Sequence, residues 1–294
     1  MKSEISHIVP KYSKEEIESF NQEFDFMDGD VELLKQTINI LYLVIEDLYY
    51  FEGMPIKLNR DDAVIAGNLV RIVKLSTSFL ENVCNHKLEI CSIINRCLAE
   101  TYINLRYILE EDETNSSRNF IKKSLIQEKE LWESILDNIK SRNGEILPIE
   151  ERMQNSIKIS FDDSDFDLEE VQRSHKWKSI KNRAAILGSD QFYSIYYGIS
   201  SHSVHGNWQD ILMNNLERSE DGFKINLEWR MPRPQIVDGP IALNLSLIKS
   251  VTENLYERPT TFSMNVKNKT DELMQYQNEL SSYHEKWLLK KRGR

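Results

Sequence analysis

The stretch KLEICSIINRCLAETYINLRYILEE, Lys87 to Glu111, decides the fold of this chain. Apolar residues occur on every side of a helix drawn through it, which predicts a helix at the centre of a helical bundle. Arg96, Glu100 and Asn104 follow one another at four-residue steps and therefore lie along one line of that helix. Because burying polar groups without partners is costly, this line must meet partner side chains, water or a ligand.

Helical patterns continue on both sides of this segment. The triplet Asp28-Gly29-Asp30 is expected to separate two helices, with Asp30 as the N-cap of the second. The predicted core helices span residues 31–51, 60–85 and 87–111 with residues 191–205 against them, and the other predicted elements are a helix over 115–141, a connection over 144–167 and helices over 168–187, 239–257 and 268–291.

Composition favours an all-α fold. The 294 residues include only 10 glycines and 7 prolines, and 40% are hydrophobic, which is enough for a substantial core. We predict one helical domain over residues 1–294, with a core at about 30–210 and a C-terminal helical extension at about 239–292. Alternating residues and two prolines near 221–235 predict a short β-hairpin or an extended arm.

Charge and cysteine content restrict the class of protein. A formal net charge of -10 argues against nonspecific binding to nucleic-acid backbones, although a locally basic site stays open. Cys84, Cys91 and Cys97 have spacings that fit no zinc or disulfide framework, so we expect a reducing, cytoplasmic setting. The N-terminus lacks the apolar segment of a signal peptide, and no uninterrupted apolar stretch reaches the length of a membrane span, so no membrane partner is expected.

The stretch YSIYYGISSHSVHGNW, Tyr193 to Trp208, is the candidate site. His202 and His205 are three residues apart and share a face of a helix, which suits a general acid–base pair, two metal ligands, or hydrogen bonds that lock a helix end. No third metal ligand lies nearby in the sequence, so no metal or other cofactor is expected. The neighbouring serines lack the Gly-x-Ser-x-Gly pattern of a hydrolase nucleophile, which argues against a serine hydrolase.

Two segments together resemble a family of uncharacterised, mostly bacterial helical proteins. NRCLAETYINLRYI, Asn95 to Ile108, resembles the Arg-x-Leu-x-Glu-x-x-x-Asn-Leu-x-Tyr helix of that domain of unknown function. YYGISSHSVHGN, Tyr196 to Asn207, resembles its Tyr-x-x-Ser-Ser-x-x-Val-His-Gly segment. The resemblance covers roughly residues 60–210 and implies an all-helical fold.

That family in turn resembles, distantly, the HEPN superfamily of small helical bundles found in toxin–antitoxin and anti-phage systems. Active HEPN ribonucleases carry an Arg-x(4 to 6)-His motif and usually work as dimers. Here His205 with Gly206 matches the histidine end, whereas Gly198, Ile199 and Ser200 occupy the arginine positions. The resemblance implies a defence or toxin-type effector that binds or cleaves RNA without a metal, as a homodimer or with a partner protein.

The expected site combines the two segments. His205 acts as general acid–base with help from His202, while a cation on another helix steadies phosphate charge. The alternative is a non-catalytic helical interaction protein in which the same polar side chains only hold the fold. The expected catalytic residues are His205, His202, Arg96 and Glu100, and the expected substrate-binding residues are Asn104, Asn207 and Tyr197.

Overall fold

A computed structural model describes residues 5–111, 115–171, 177–190 and 193–293. Within these ranges the chain forms eleven α-helices and two small antiparallel strand pairs. The predicted all-α class with a short hairpin is therefore confirmed.

The helices and strands are numbered here in chain order. The α-helices are α1 (Lys14–Ser19), α2 (Glu23–Tyr49), α3 (Arg60–Cys84), α4 (Leu88–Glu110), α5 (Ser116–Ser141), α6 (Pro148–Ser164), α7 (Ile180–Ile186), α8 (Gly198–His205), α9 (Trp208–Asn214), α10 (Pro234–Asn254) and α11 (Thr261–Lys291). The strands are β1 (Tyr50–Phe51), β2 (Met54–Pro55), β3 (Leu216–Ser219) and β4 (Gly222–Ile225), and short 3-10 and π-helical turns span Ile5–His7 and Tyr193–Tyr197.

The described residues form two compact units. The first takes them from Met1–Lys57, Ala66–Glu110 and Ile180–Arg294, and the second from Leu58–Ile65 and Glu111–Ser179. In the first unit α10 packs against α2, α4 and α11, and α4 also packs against α7, α8 and the π-helical turn. Helix α10, which lies in the predicted C-terminal extension, is buried over most of its length and packs at the centre of the first unit.

A buried polar network joins three helices of the first unit. The Asn244 amide on α10 donates to Thr37 Oγ1 on α2 at 3.1 Å and accepts from Ser76 Oγ on α3 at 3.2 Å. Thr37 Oγ1 in turn donates to the Leu34 carbonyl oxygen at 2.8 Å. These polar side chains have no access to water. Their mutual satisfaction therefore fixes which turns of the three helices face one another.

A second polar seam fixes α4 against α10. Tyr102 on α4 and Ser246 on α10 share a hydrogen bond of 2.8 Å. One turn further along, Arg106 donates to the Tyr102 hydroxyl and, through two bonds of 2.6 Å, to Glu110. Ser250 on α10 donates to the same Glu110 carboxylate at 2.8 Å. The seam sets the register of α4, and with it the direction in which the candidate site residues of α4 point.

The predicted break at Asp28-Gly29-Asp30 is wrong, since α2 runs through it. The helix begins earlier, where the Asp25 carboxylate accepts from the Gln22 backbone N–H at 3.1 Å. Gly29 serves close packing, because a Cβ there would lie 3.1 Å from Leu280 Cδ2 of α11. Asp30 is not a cap; its side chain is 2% exposed inside the first unit.

The second unit contains a helix where the sequence predicted a connection. Residues 148–164 form α6, which starts with Pro148 in its first turn and with Glu150 accepting from the Leu147 backbone N–H at 3.0 Å. The core of the second unit consists of Leu125, Ile126, Ile135, Ile157, Phe161, Phe166 and Val171.

The predicted helix over 168–187 is also corrected. Its described residues are helical only over Ile180–Ile186, and residues 172–176 lie outside the described part.

The hairpin of the predicted arm lies slightly earlier than 221–235. Strands β3 and β4 pair antiparallel, with Leu216 opposite Ile225 and Ser219 opposite Gly222. The tight turn uses Gly222 at φ +149°, a conformation that glycine adopts most readily. Residues 226–233 follow without regular structure.

Helix α3 is long and apolar enough, by length and composition, to cross a membrane. A core helix meets the same test. In α3 the middle of the helix carries Ser76, bonded to Asn244, and Arg71, whose Nε donates to Thr101 Oγ1 of α4 at 3.2 Å. These bonds give α3 protein partners within the first unit.

The buried Asp30 carboxyl predicts a specific pH dependence. Burial, reinforced by the charge of Asp238, raises the pKa of Asp30 well above its usual value. At pH values between the pKa of Asp30 in the unfolded chain and its higher pKa in the folded chain, the folded state binds more protons than the unfolded state. The free energy of unfolding therefore falls as pH rises above about 4. Asp30→Asn should raise stability at pH 7 by on the order of 1 kcal/mol and flatten that slope, measured by urea unfolding from pH 4 to 7. Asp271→Asn, on an exposed face of α11, is the matched control and should leave the slope unchanged.

Candidate functional site

Arg96 joins α4 to the start of α8 through Tyr197. Its Nη1 donates to the Tyr197 carbonyl oxygen at 3.1 Å, and its guanidinium carbon lies 3.2 Å from the centre of the Tyr197 ring. Tyr193 also stacks on this ring, with ring centroids 4.7 Å apart and an angle of 22° between the planes. Among the described residues Arg96 forms no ion pair with Glu100, and its guanidinium lies against the aromatic face of Tyr197 instead.

The π-helical turn is also held from the side of α10. Tyr196 packs against Gly239 so closely that a Cβ on that glycine would lie 2.3 Å from Tyr196 Cε1. Burial raises the pKa of the Tyr196 hydroxyl, and the neighbouring Asp238 acts in the same direction. The turn therefore has Arg96 on one side and α10 on the other. The predicted helix start at Gly239 is wrong, because α10 begins at Pro234 and runs through Gly239 and Pro240. The close approach of Tyr196 accounts for a glycine inside this helix.

Arg183 on α7 completes the cluster, and sequence reasoning missed it. It is 4% exposed, and burial lowers its pKa to about 10 against the opposing charge of Glu100. Burial likewise raises the pKa of the Tyr197 hydroxyl, which Arg96 and Glu100 influence in opposite directions. The helix of Arg183, IKNRAAI, also carries Lys181 and Asn182, so the local sequence gives no signal that Arg183 is the buried member. We call Arg96, Glu100, Arg183 and Tyr197 the arginine cluster.

The arginine cluster keeps unused hydrogen-bonding capacity. Among the described residues, no acceptor bonds to Nε or Nη2 of Arg96, which is only partly buried. Glu100, one turn along α4, is exposed. Asn104, a further turn along, has a buried Oδ1 with no donor in the described chain. The predicted polar line of α4 is therefore only partly satisfied by protein.

The histidine end is organised by Asn207. Helix α8 ends at His205 and is followed by Gly206, whose φ of +55° is the left-handed conformation common after a helix. Asn207 caps α9 by accepting from the Asp210 backbone N–H at 3.3 Å, and its Nδ2 donates to His202 Nδ1 at 2.5 Å. Because the cap fixes the amide, Nδ1 of His202 must accept, and a neutral His202 carries its proton on Nε2.

His205 is exposed one turn beyond His202, about 4.5 Å further along the helix axis. Neither histidine is hydrogen-bonded or ion-paired to Arg96 or Glu100 among the residues that the structure describes. Successive residues turn about 100° around the helix axis, so His202 points away from the side on which Ser200 is buried. The structure therefore brings Arg96, Glu100 and Tyr197 together, and separately His202 and Asn207, with His205 on open surface.

The two groups suit different chemistry. The histidine group is accessible to solvent and offers a proton carrier beside a fixed N–H donor. The arginine cluster offers charge and stacking surface in a partly buried position. In the described ranges, no group of three or more His, Cys, Asp and Glu side chains is arranged to hold a metal ion.

A family model described as "Family of unknown function (DUF5677)" matches residues 62–223, more than half of the chain. The chain belongs to DUF5677. This confirms the resemblance to an uncharacterised family. Searches of curated proteins and of solved structures give no match.

The DUF5677 segment contains every candidate residue, from Arg96 on α4 to Asn207 at the start of α9. Helices α2, α10 and α11 lie outside it, although they supply much of the core of the first unit. In this chain the family segment is thus completed by helices on both sides of it.

Asn207 provides a test of how the histidine end is built. Asn207→Asp keeps a capping oxygen but replaces the Nδ2–H donor with an acceptor, so His202 must move its proton to Nδ1 or become charged. We expect the ¹⁵N chemical shifts of the His202 ring to change from the Nε2–H pattern to a protonated Nδ1. Asn207→Ser, which retains the cap without reaching His202, is the matched control. An unchanged ring spectrum in Asn207→Asp would show that the amide does not set the tautomer.

Proposed function

We propose that this chain is a HEPN-like effector that cleaves RNA without a metal at the exposed end of α8. The observation that carries the proposal is the pair of solvent-exposed histidines on adjacent turns, one of them fixed by Asn207. Histidine is the side chain best suited to moving protons near neutral pH. The description of the DUF5677 family states no function.

We propose different roles for the two histidines. His205, without a protein partner in the described chain, accepts the proton of an RNA 2′-hydroxyl. The 2′ oxygen then attacks the adjacent phosphorus, the bond from phosphorus to the 5′ oxygen breaks, and the His205 proton passes to that oxygen. His202, with Nδ1 occupied, keeps Nε2–H as a donor toward a phosphate oxygen. The products are a 2′,3′-cyclic phosphate and a 5′-hydroxyl.

The arginine cluster supports this reaction by positioning the segment that carries the histidines. The hydrogen bond from Arg96 to the Tyr197 carbonyl oxygen holds the first residues of that segment on α4. The unbonded nitrogens of the partly buried Arg96 are proposed contacts for a neighbouring part of the RNA, whereas the Oδ1 of Asn104 is shielded from solvent and is not. Because the chain carries a net charge of -10, few phosphates would be bound, and the salt dependence should be shallow.

A second candidate function is a non-catalytic interaction protein. The stacking of Arg96 on Tyr197 favours it, since this contact holds α4 to the π-helical turn and so accounts for Arg96 without any catalytic role. The exposed apolar residues that follow β3 favour it too. Under this alternative, the histidine variants below would have no effect on RNA.

The test is incubation of the full chain with a single-stranded RNA of mixed sequence in the presence of EDTA. Cleavage should leave 2′,3′-cyclic phosphate ends, and His205→Ala should reduce the rate by roughly 100-fold or more. His202→Ala should reduce it less, since it removes a donor and not the proton carrier. His7→Ala, an exposed histidine outside the family segment, is the control and should cleave normally. Equal cleavage by His205→Ala, or loss of cleavage with EDTA, would contradict the mechanism.

A further inference from the structure

Large apolar side chains are exposed at every second position from β4 onward. Their exposed fractions run from 48% at Phe223 to 88% at Leu227. Alternate residues of a strand lie on one face, so Phe223 and Ile225 line one side of β4, and Leu227, Trp229 and Met231 follow where the chain has no regular structure. Contiguous apolar surface of this kind marks an interaction site in soluble proteins. We call it the stripe, and it consists of Phe223, Ile225, Leu227, Trp229 and Met231.

The outer edge of β4 is unpaired among the described residues. The Asn226 backbone N–H donates to the Asn215 carbonyl oxygen at 2.8 Å, which continues the register of β3 and β4. Even-numbered residues of β4 therefore direct their backbone groups toward β3. The backbone groups of Phe223 and Ile225 point outward, where no third strand lies in the described chain. Such an edge is a template for another strand.

The sequence around Asn226 is complementary to itself in the antiparallel sense. In FKINLEW, residues 223–229, a two-fold axis at Asn226 places Phe223 opposite Trp229. The same axis places Lys224 opposite Glu228, and Ile225 opposite Leu227. Aromatic pairs, aliphatic pairs and opposite charges are the cross-strand combinations that stabilise a sheet.

Neighbouring registers lack this match. A two-fold axis at Lys224 would place that lysine opposite the same lysine of the second copy. An axis at Leu227 would place Lys224 opposite Arg230. An axis at Ile225 leaves Lys224 opposite an uncharged asparagine. Axes between residues would pair an outward-facing residue with an inward-facing one, which breaks the hydrogen-bond pattern.

We propose that the outer edge of β4 binds a second copy of this chain in an antiparallel, two-fold arrangement centred on Asn226. The two hairpins then form one four-stranded sheet, in which Ile225 and Leu227 of the two copies exchange backbone hydrogen bonds. The chain bends at Glu228, so the two Lys224–Glu228 contacts lie at the ends of the paired segment, and Phe223 and Trp229 lie beyond those ends. The inference stands independently of RNA cleavage.

A charge exchange tests the partner and the register together. Lys224→Glu and Glu228→Lys each turn two attractive contacts into repulsive ones and should weaken the dimer by roughly tenfold or more. The double variant Lys224→Glu/Glu228→Lys should restore the wild-type affinity. Both side chains are exposed, so folding should be unaffected. Sedimentation velocity of the full chain over a concentration series gives the dissociation constants.

A cysteine at the proposed axis gives a second, geometric test. In the new pairing, Asn226 faces its own copy as a non-hydrogen-bonded pair, with Cα atoms about 4.5 Å apart, within the range for a disulfide. In a Cys84→Ser background, which removes an exposed native thiol, Asn226→Cys should form a covalent dimer on mild oxidation. Lys224→Cys in the same background should not, because its partner position is Glu228.

The outcomes decide the proposal. A wild-type chain that stays monomeric at about 100 μM would overturn it. So would a dimer that is insensitive to both charge variants, or one in which the double variant stays weak. Cross-linking through Lys224→Cys as readily as through Asn226→Cys would show a different register and would also overturn it.

Discussion

The stacking of Arg96 on Tyr197 is the contact on which the site depends. A cation held against an aromatic face is worth about 0.5–2 kcal/mol, more when water is excluded. Here the same guanidinium also donates to the Tyr197 carbonyl oxygen, so both the side chain and the backbone of the π-helical turn are held on α4. With that turn fixed, helical geometry alone directs His202 and His205 outward.

The scaffold beneath this contact is stiff because its polar groups are shared between helices. The Asn244 amide satisfies hydroxyl groups of two neighbouring helices, and the seam from Tyr102 to Glu110 prevents α4 from sliding along α10. Gly239 lets Tyr196 approach the backbone of α10. A π-helical turn is rare and often found at functional sites, and here it lies between two rigid helices.

The sequence predicted the elements whose signals are local. The helix over Leu88–Glu110 follows from the periodicity of its apolar residues, and the all-α class follows from composition. The errors arise where tertiary contacts decide. Gly29 suggests a helix break until Leu280 is known to lie against it. Arg183 was missed because nothing near it in sequence reveals its burial beside Glu100.

The most direct test of the account is amide hydrogen exchange across α8 in variants of Arg96. If this side chain holds the segment on α4, Arg96→Ala should speed exchange of the α8 amides by roughly tenfold, with a smaller effect of Arg96→Lys, which keeps the charge but not the planar group. The amides of α10 should be unchanged, and Lys249→Ala, at an exposed position of α10, should alter neither helix. Unchanged protection of α8 in Arg96→Ala would contradict the central claim that this contact positions the histidines.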